Sequence, residues 1–287
     1  MKTKRKILKT NETVEVLVNG AFQRTFVALA ILLFVSLSCH AKTLATDDCN
    51  SAFKNGEHIT YDLYFKYGIM KKVGTAEMSV HSMNYQNQAA YMINLLANTN
   101  GLADKFFRMR DTLTSIINSG LQPLYYRKAA DEGHKYTVDE VRYSTSGGKY
   151  VVRMKKVKRG RTEYNLKSDT RQIYDMLSII SRVRSLNLEK FSPGQRLIYP
   201  IASGKSLTNE TLYYKGKENY TAENGITYRC LIFTLIEDGK ELITFYVTDD
   251  LNHLPIRLDL RLNFGMARAS MRAAVNVSHP FTSIVKQ

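Results

Sequence analysis

The densest run of residues able to bind a cation is TDDLNH, Thr248 to His253, which sets Asp249, Asp250, Asn252 and His253 side by side. Carboxylate and amide oxygens so spaced suit a hard cation held in a loop. They equally suit a turn, because Asp and Asn side chains hydrogen-bond turn backbones and Pro255 opens the next strand. The turn is the expected use. GKS at 204–206 looks like the end of a phosphate-binding loop, but that motif needs glycine five residues before Gly204, where Tyr199 stands. The sequence has no GxSxG elbow and no helical HExxH. Asp111, Asp139, Glu140 and Asp175 can share acid–base work only where the fold brings two of them together. No cofactor, no metal and no catalytic residue is expected.

Two charged groups remain. Arg108, Arg110 and Asp111 lie on a run that also presents Phe107, Met109 and Leu113. A charge on an inner sheet face can hold a ligand's polar end, or simply form a salt bridge. Arg153, Lys155, Lys156, Lys158, Arg159 and Arg161 crowd one hairpin, six positive charges in nine residues. They suit a phosphate-rich membrane or glycolipid surface, or a solvated hairpin whose charges protect a sheet edge.

The elements that must carry these groups repeat with period two. Ile59, Tyr61, Leu63, Phe65 and Tyr67 alternate with polar neighbours, as do Ala76, Met78 and Val80. Further strands are expected over Tyr91–Ala97, Phe107–Ile117, Leu124–Lys128, Tyr136–Tyr143, Tyr150–Lys158, Arg161–Leu166, Leu212–Tyr220, Thr227–Glu237, Glu241–Thr248 and Ala267–Val275. In Leu254–Phe264, Ile256, Leu258, Leu260, Leu262 and Phe264 form one face, while Arg257, Asp259, Arg261 and Asn263 form the other. NGE, SGG, KRGR, ENG and EDGK supply turn chemistry between them. One segment departs from this period. From Asp169 to Leu188, Ile173, Met176, Leu177, Ile180 and Val183 fall at three- and four-residue steps, which predicts an amphipathic helix over about 170–188 with Asp169 as its cap and Gln172 three residues on. The expected fold is mainly β: an antiparallel curved sheet, half-open barrel or sandwich, with one principal helix.

Phe26 to Leu37 is short for a span, and fits the apolar core of a secretory signal. Basic residues precede it and Ala41 ends it, so cleavage after Ala41 is expected, with lipidation of Cys39 the alternative. The remaining residues, 42–287, read as a single β-rich domain carrying 35 basic and 24 acidic residues. In an exported protein that surplus favours a lipid headgroup, glycolipid or cell-wall polymer and not nucleic acid. Cys49 and Cys230 are either a buried thiol and a lone partner or a long-range disulfide.

Several blocks together resemble one bacterial family: FKNGEHITYDLYFKYG at 53–68, VGTAEM at 73–78, KFFRMRDTLTS at 105–115, YTVDEVRY at 136–143, YDMLSIISRVRSL at 174–186, YRC at 228–230 and ITFYVTDDLNHLPIRLDLRLNFGMARASM at 243–271. The family is domain of unknown function 3108, in its Bacteroides-type form. The resemblance implies export to the envelope or periplasm and a β-rich fold, and supplies no reaction. The functional expectation is a non-catalytic protein binding an apolar or amphipathic envelope component, such as a lipid, between sheet and helix. Its lining is expected from Tyr61, Leu63, Phe65, Phe107, Met109, Arg110, Ile256 and Leu258, covered by Met176 and Ile180. The alternative is an envelope interaction protein using the basic hairpin and outward tyrosines Tyr64, Tyr125, Tyr143, Tyr213 and Tyr246; an unrecognised hydrolase ranks third.

Overall fold

The structure, a computed structural model, describes residues 52–286 except 107, 134, 238–239 and 263–264. Alternating sequence becomes strand throughout: β1 (His58–Tyr67), β2 (Ile69–Tyr85), β3 (Gln88–Thr99), β4 (Met109–Asn118), β5 (Pro123–Glu132), β6 (Lys135–Ser146), β7 (Lys149–Lys158), β8 (Arg161–Asp169), β9 (Arg196–Ser203), β10 (Ser206–Thr221), β11 (Thr227–Glu237), β12 (Lys240–Thr248), β13 (Pro255–Leu262) and β14 (Gly265–Val275). Among the described residues two α-helices interrupt them, α1 (Gly101–Phe106) and α2 (Met176–Arg184).

All fourteen strands join one antiparallel sheet in the order 8-7-6-5-4-3-2-1-14-13-12-11-10-9. Tight turns make this meander. Gly147 and Gly148 both take positive φ between β6 and β7, as Arg159 and Gly160 do between β7 and β8, matching the twist of the flanking strands. The sheet rolls into a nearly closed, barrel-like shape. Its edges meet through side chains: Asn165 Nδ2 on β8 donates to Lys205 O beyond β9 (2.8 Å), and Arg171 Nη2 donates to Asn209 Oδ1 on β10 (2.7 Å).

Register fixes the core. Val80, Ile93, Ser115, Tyr126, Val141 and Met154 form one row across β2–β7, and each is buried. A neighbouring row runs Ile59, Met78, Leu95, Leu113 across β1–β4. Ile173 and Leu177 of the helical segment complete this cluster. A second cluster joins Leu186, Leu188 and Phe191, just after α2, to Tyr214, Leu231, Phe233 and Val247 of β10–β12.

The helix is shorter than its apolar periodicity suggests, and its cap is Asp175 rather than Asp169. Residues before it stay extended because Tyr174 pairs with β9: Tyr174 N donates to Pro200 O (2.9 Å) and Ala202 N to Tyr174 O (2.8 Å). Asp175 then accepts from Leu177 N (3.0 Å) and Ser178 N (2.9 Å), while its own N–H donates to Ser178 Oγ (2.8 Å). Its second oxygen accepts from Ser115 Oγ (3.0 Å) and Tyr143 OH (3.2 Å), tying the helix start to the sheet.

The other end of α2 is tied by Arg184. Its Nη1 and Nη2 donate to Glu57 Oε1 (2.6 Å) and Oε2 (2.8 Å), Nη2 also to Ala52 O (3.0 Å), and Nε to Asn252 O (3.1 Å). Both charged side chains are almost wholly buried, at 3% and 1% exposure. Removing one partner of such a pair strands a buried charge and costs about 3–5 kcal/mol. Glu57→Ala is therefore expected to lower unfolding free energy by about that amount in urea titrations, and Glu57→Leu combined with Arg184→Met to cost clearly less than Glu57→Ala alone.

Candidate functional site

Of the apolar residues expected to line a sheet–helix cavity, some join the packed core and others are only half-buried. Tyr61 and Ile256 are buried core residues. Leu63 and Met176 are half-buried and packed against that core, and Phe65, Met109, Ile180 and Leu258 are half-buried. Phe107 lies outside the described residues. Arg110 does not join this set. It is turned to α1, where Nη1 and Nη2 donate to Asp104 Oδ1 (3.1 Å) and Oδ2 (2.6 Å). Hydrogen bonds from Arg110, then Thr99, hold the Asp104 carboxyl down at about 2. The expected strand from Phe107 begins instead at Met109, since Gly101–Phe106 turns helical first.

The basic hairpin divides between two faces. Lys156 points to the inner face and pairs with Asp139 at 3.3 Å, whereas Lys155 pairs outward with Glu140 at 3.3 Å. Lys158 is half-buried, and Arg153, Arg159 and Arg161 are exposed. Tyr143, expected to face outward, lies on the inner row opposite Val152 and bonds Asp175. The TDDLNH segment is a turn. Asp250 accepts from Thr248 Oγ1 (2.8 Å), Asn252 N (3.0 Å) and Ser283 Oγ (2.6 Å), while Asp249 accepts from Lys217 (2.8 Å) and Arg229 Nε (2.7 Å). Buried His253 donates from Nδ1 to Arg184 O (2.6 Å), and burial pushes its imidazole down. Cys230 is a buried free thiol pushed by burial to about 12; Cys49, Ala41 and Cys39 lie outside the described residues.

A groove of about 380 Å³ opens on the sheet face opposite Leu63 and Leu258, over β10–β14. Register builds it. One row runs Asp62, Ser270, Arg257, Tyr246, Ile232, Gly216 and the next Tyr64, Arg268, Asp259, Thr244, Thr234, Tyr213. A bulge skips Lys215 in β10 and re-aims it toward Glu241. At the centre, Arg257 lies over two rings, 4.4 Å from the Tyr246 centroid and 4.9 Å from that of Tyr220. It donates through Nε (3.0 Å) and Nη2 to Asp259, and Arg268 donates to the same carboxylate through Nε (2.7 Å) and Nη2 (3.1 Å). Burial alone would raise Asp259, but the two guanidiniums outweigh it and hold the carboxyl below its ordinary range. Lys215, Lys217, Arg257, Arg261 and Arg268 line the groove against Glu218, Glu241 and Asp259, a positive surplus.

Residues 60–272 match the family model described as Protein of unknown function (DUF3108). The chain belongs to the DUF3108 family. No curated protein matches it. Among solved structures, this DUF3108 chain is similar to a β-barrel-like protein of domain of unknown function DUF1849 from Brucella abortus, at 13% identity and a TM-score of 0.53, covering 78% of this chain and 98% of that one. A candidate exported protein with a YmcC-like fold from Bacteroides fragilis NCTC 9343 follows at 10% identity and TM-score 0.33, covering 79% and 99%. The first likeness shows the barrel-like fold.

The DUF3108 sheet carries a second polar feature on its inner face. Along one row Leu113 is followed by Lys128, Asp139, Lys156 and Glu163. Asp111, on the adjacent row, lies 3.6 Å from Lys128, which also reaches Glu132 at 3.7 Å. Burial pushes the Asp111 carboxyl up to about 7, against the opposing pull of Lys128. An unfolded Asp titrates near 4, so between about pH 4 and about 7 the folded chain holds a proton the unfolded chain has lost, and stability from this site falls as pH rises. Asp111→Asn is expected to gain stability over wild type progressively across that interval and level off above it, read by denaturant titration at several pH values.

Proposed function

We propose that the protein is exported and serves the cell envelope as a non-catalytic binder of an amphipathic component, a lipid or glycolipid, whose anionic part enters the β10–β14 groove. The observation that carries this reading is Arg257, lying over the Tyr220 and Tyr246 rings and locked with Arg268 on Asp259. A guanidinium whose orientation is already fixed loses little freedom on meeting an anion, and its planar fork suits phosphate or carboxylate. Among the described residues the Arg257 bonds use Nε and Nη2, which leaves Nη1 for a ligand. Ile232, Met266 and Tyr246 give the same groove an apolar wall. At about 380 Å³ it matches the small end of ligand sites, fit for a headgroup rather than a whole acyl chain. Export is supported by the Phe26–Ala41 segment, and the inner face is left to packing.

The test is binding to neutral vesicles with and without an anionic phospholipid, alongside soluble glycerol phosphate. Wild type is expected to prefer the anionic vesicles, and Arg257→Ala or Arg268→Ala to weaken binding about tenfold or more, as for a lost charge-assisted hydrogen bond. Binding of glycerol phosphate alone would identify a soluble ligand for the groove. Unchanged vesicle binding in both variants would remove the groove from the account.

A further inference from the structure

The strand β8 ends the sheet, pairs only with β7 among the described strands, and is exposed along nearly its whole length. Its sequence is Arg161, Thr162, Glu163, Tyr164, Asn165, Leu166, Lys167, Ser168, Asp169. Turned antiparallel against a copy of itself, with Asn165 opposite Asn165, this strand is its own complement. On one face Arg161 meets Asp169 and Glu163 meets Lys167. On the other, Thr162 meets Ser168 and Tyr164 meets Leu166. The apolar pair is the exposed one: Tyr164 is 74% and Leu166 61% exposed.

Backbone direction selects the same register. Leu166 N–H donates to its own Asn165 Oδ1 (2.9 Å) and so points away from β7. By alternation Thr162, Tyr164, Leu166 and Ser168 turn their backbone groups to the free edge. Those are the residues the self-pairing sets opposite one another, Tyr164 with Leu166 and Thr162 with Ser168, where antiparallel partners exchange N–H···O bonds. Contacts across the barrel seam come from the side chains of Glu163 and Asn165 to Lys205, so the free edge of β8 pairs with no other strand among the described residues.

We infer that β8 is an interaction edge for a second copy of this chain, joining two sheets about a two-fold axis through Asn165. Edge protection argues for the opposite sequence. A guarded edge carries one sign of charge, usually Lys, so that copies repel. This one carries both signs at mirrored positions, so each charge meets its opposite. Glu163 exchanges its exposed partner Lys205 for Lys167 of the second copy without losing a charge partner. A nine-residue strand gives a modest interface, so the dimer forms with concentration. The inference stands apart from the ligand reading.

Sedimentation velocity from low to high micromolar protein is expected to show the mass doubling. Glu163→Lys and Lys167→Glu are each expected to abolish the dimer, and the two together to restore it. In a Cys39→Ser/Cys49→Ser background, Asn165→Cys is expected to form an intermolecular disulfide on mild oxidation, because the two-fold sets it opposite itself. Glu163→Cys is expected not to do so, since its opposite is Lys167. A wild-type monomer throughout, failed rescue by the double exchange, or equal cross-linking at 163 and 165 would each overturn the inference.

Discussion

A guanidinium out of contact with water must find an acceptor for its donors, and that demand on Arg184 organises the chain around it. Glu57 answers with both oxygens, Ala52 and Asn252 with backbone carbonyls, and the Phe53 ring lies 5.5 Å beneath. Three distant pieces of chain thereby meet at the end of α2: the segment before β1, the helix, and the β12–β13 turn. Gly56 and Glu57 are in turn stitched to β2 through Val80. The turn is fixed as well, because His253 donates to the Arg184 carbonyl while Asn252 holds His279. With the helix pinned at one end by Asp175 and at the other by Arg184, its apolar side has one place to lie, against the inner rows of the sheet.

That placement assigns the two faces of the barrel-like sheet different work. Where α2 covers it, the inner face is filled by side chains such as Tyr126, Leu177 and Met154, each no more than 2% exposed. Farther along the same register the inner row turns ionic at Lys128 and Asp139. Among the described residues no helix covers the opposite face over β10–β14, and there the side chains are charged and aromatic. Arg257 and Arg268 are both held by Asp259, and Arg257 also by two tyrosine rings, so their order does not depend on a ligand being present. Packing on one face and a standing polar arrangement on the other follow from one alternation in the sequence.

Much of this was legible. Period-two alternation located most strands, and glycine-bearing turns located the β6–β7–β8 hairpins, because a half-buried strand repeats its partner's environment every second residue. The polar face Arg257, Asp259, Arg261 was visible in the same way. Strand β9 was hidden by Pro200, which breaks the strand signature yet sits on an edge where its missing N–H costs little. The helix start was misplaced because the Tyr174–Ile201 pairing is a long-range contact that overrides local periodicity. Helix α1, Gly101–Phe106, was not foreseen, because six residues carry too little periodicity to show a helix. Arg268 and Tyr220 were not assigned to the groove, since only register across separate strands brings them to Arg257. Nothing in the sequence joins Glu57 to Arg184, which lie 127 residues apart.

The central claim is that the sheet packs on its α2 side and binds on the other. Hydrogen–deuterium exchange of the purified protein, with and without anionic phospholipid vesicles, tests it most directly. The expected result is slowed exchange in β10 and β12–β14 around Arg257, with α2 and β1–β4 unchanged. Protection centred on α2 and the inner rows of β1–β4, with β10–β14 unaffected, would contradict it and return the ligand to the space between sheet and helix.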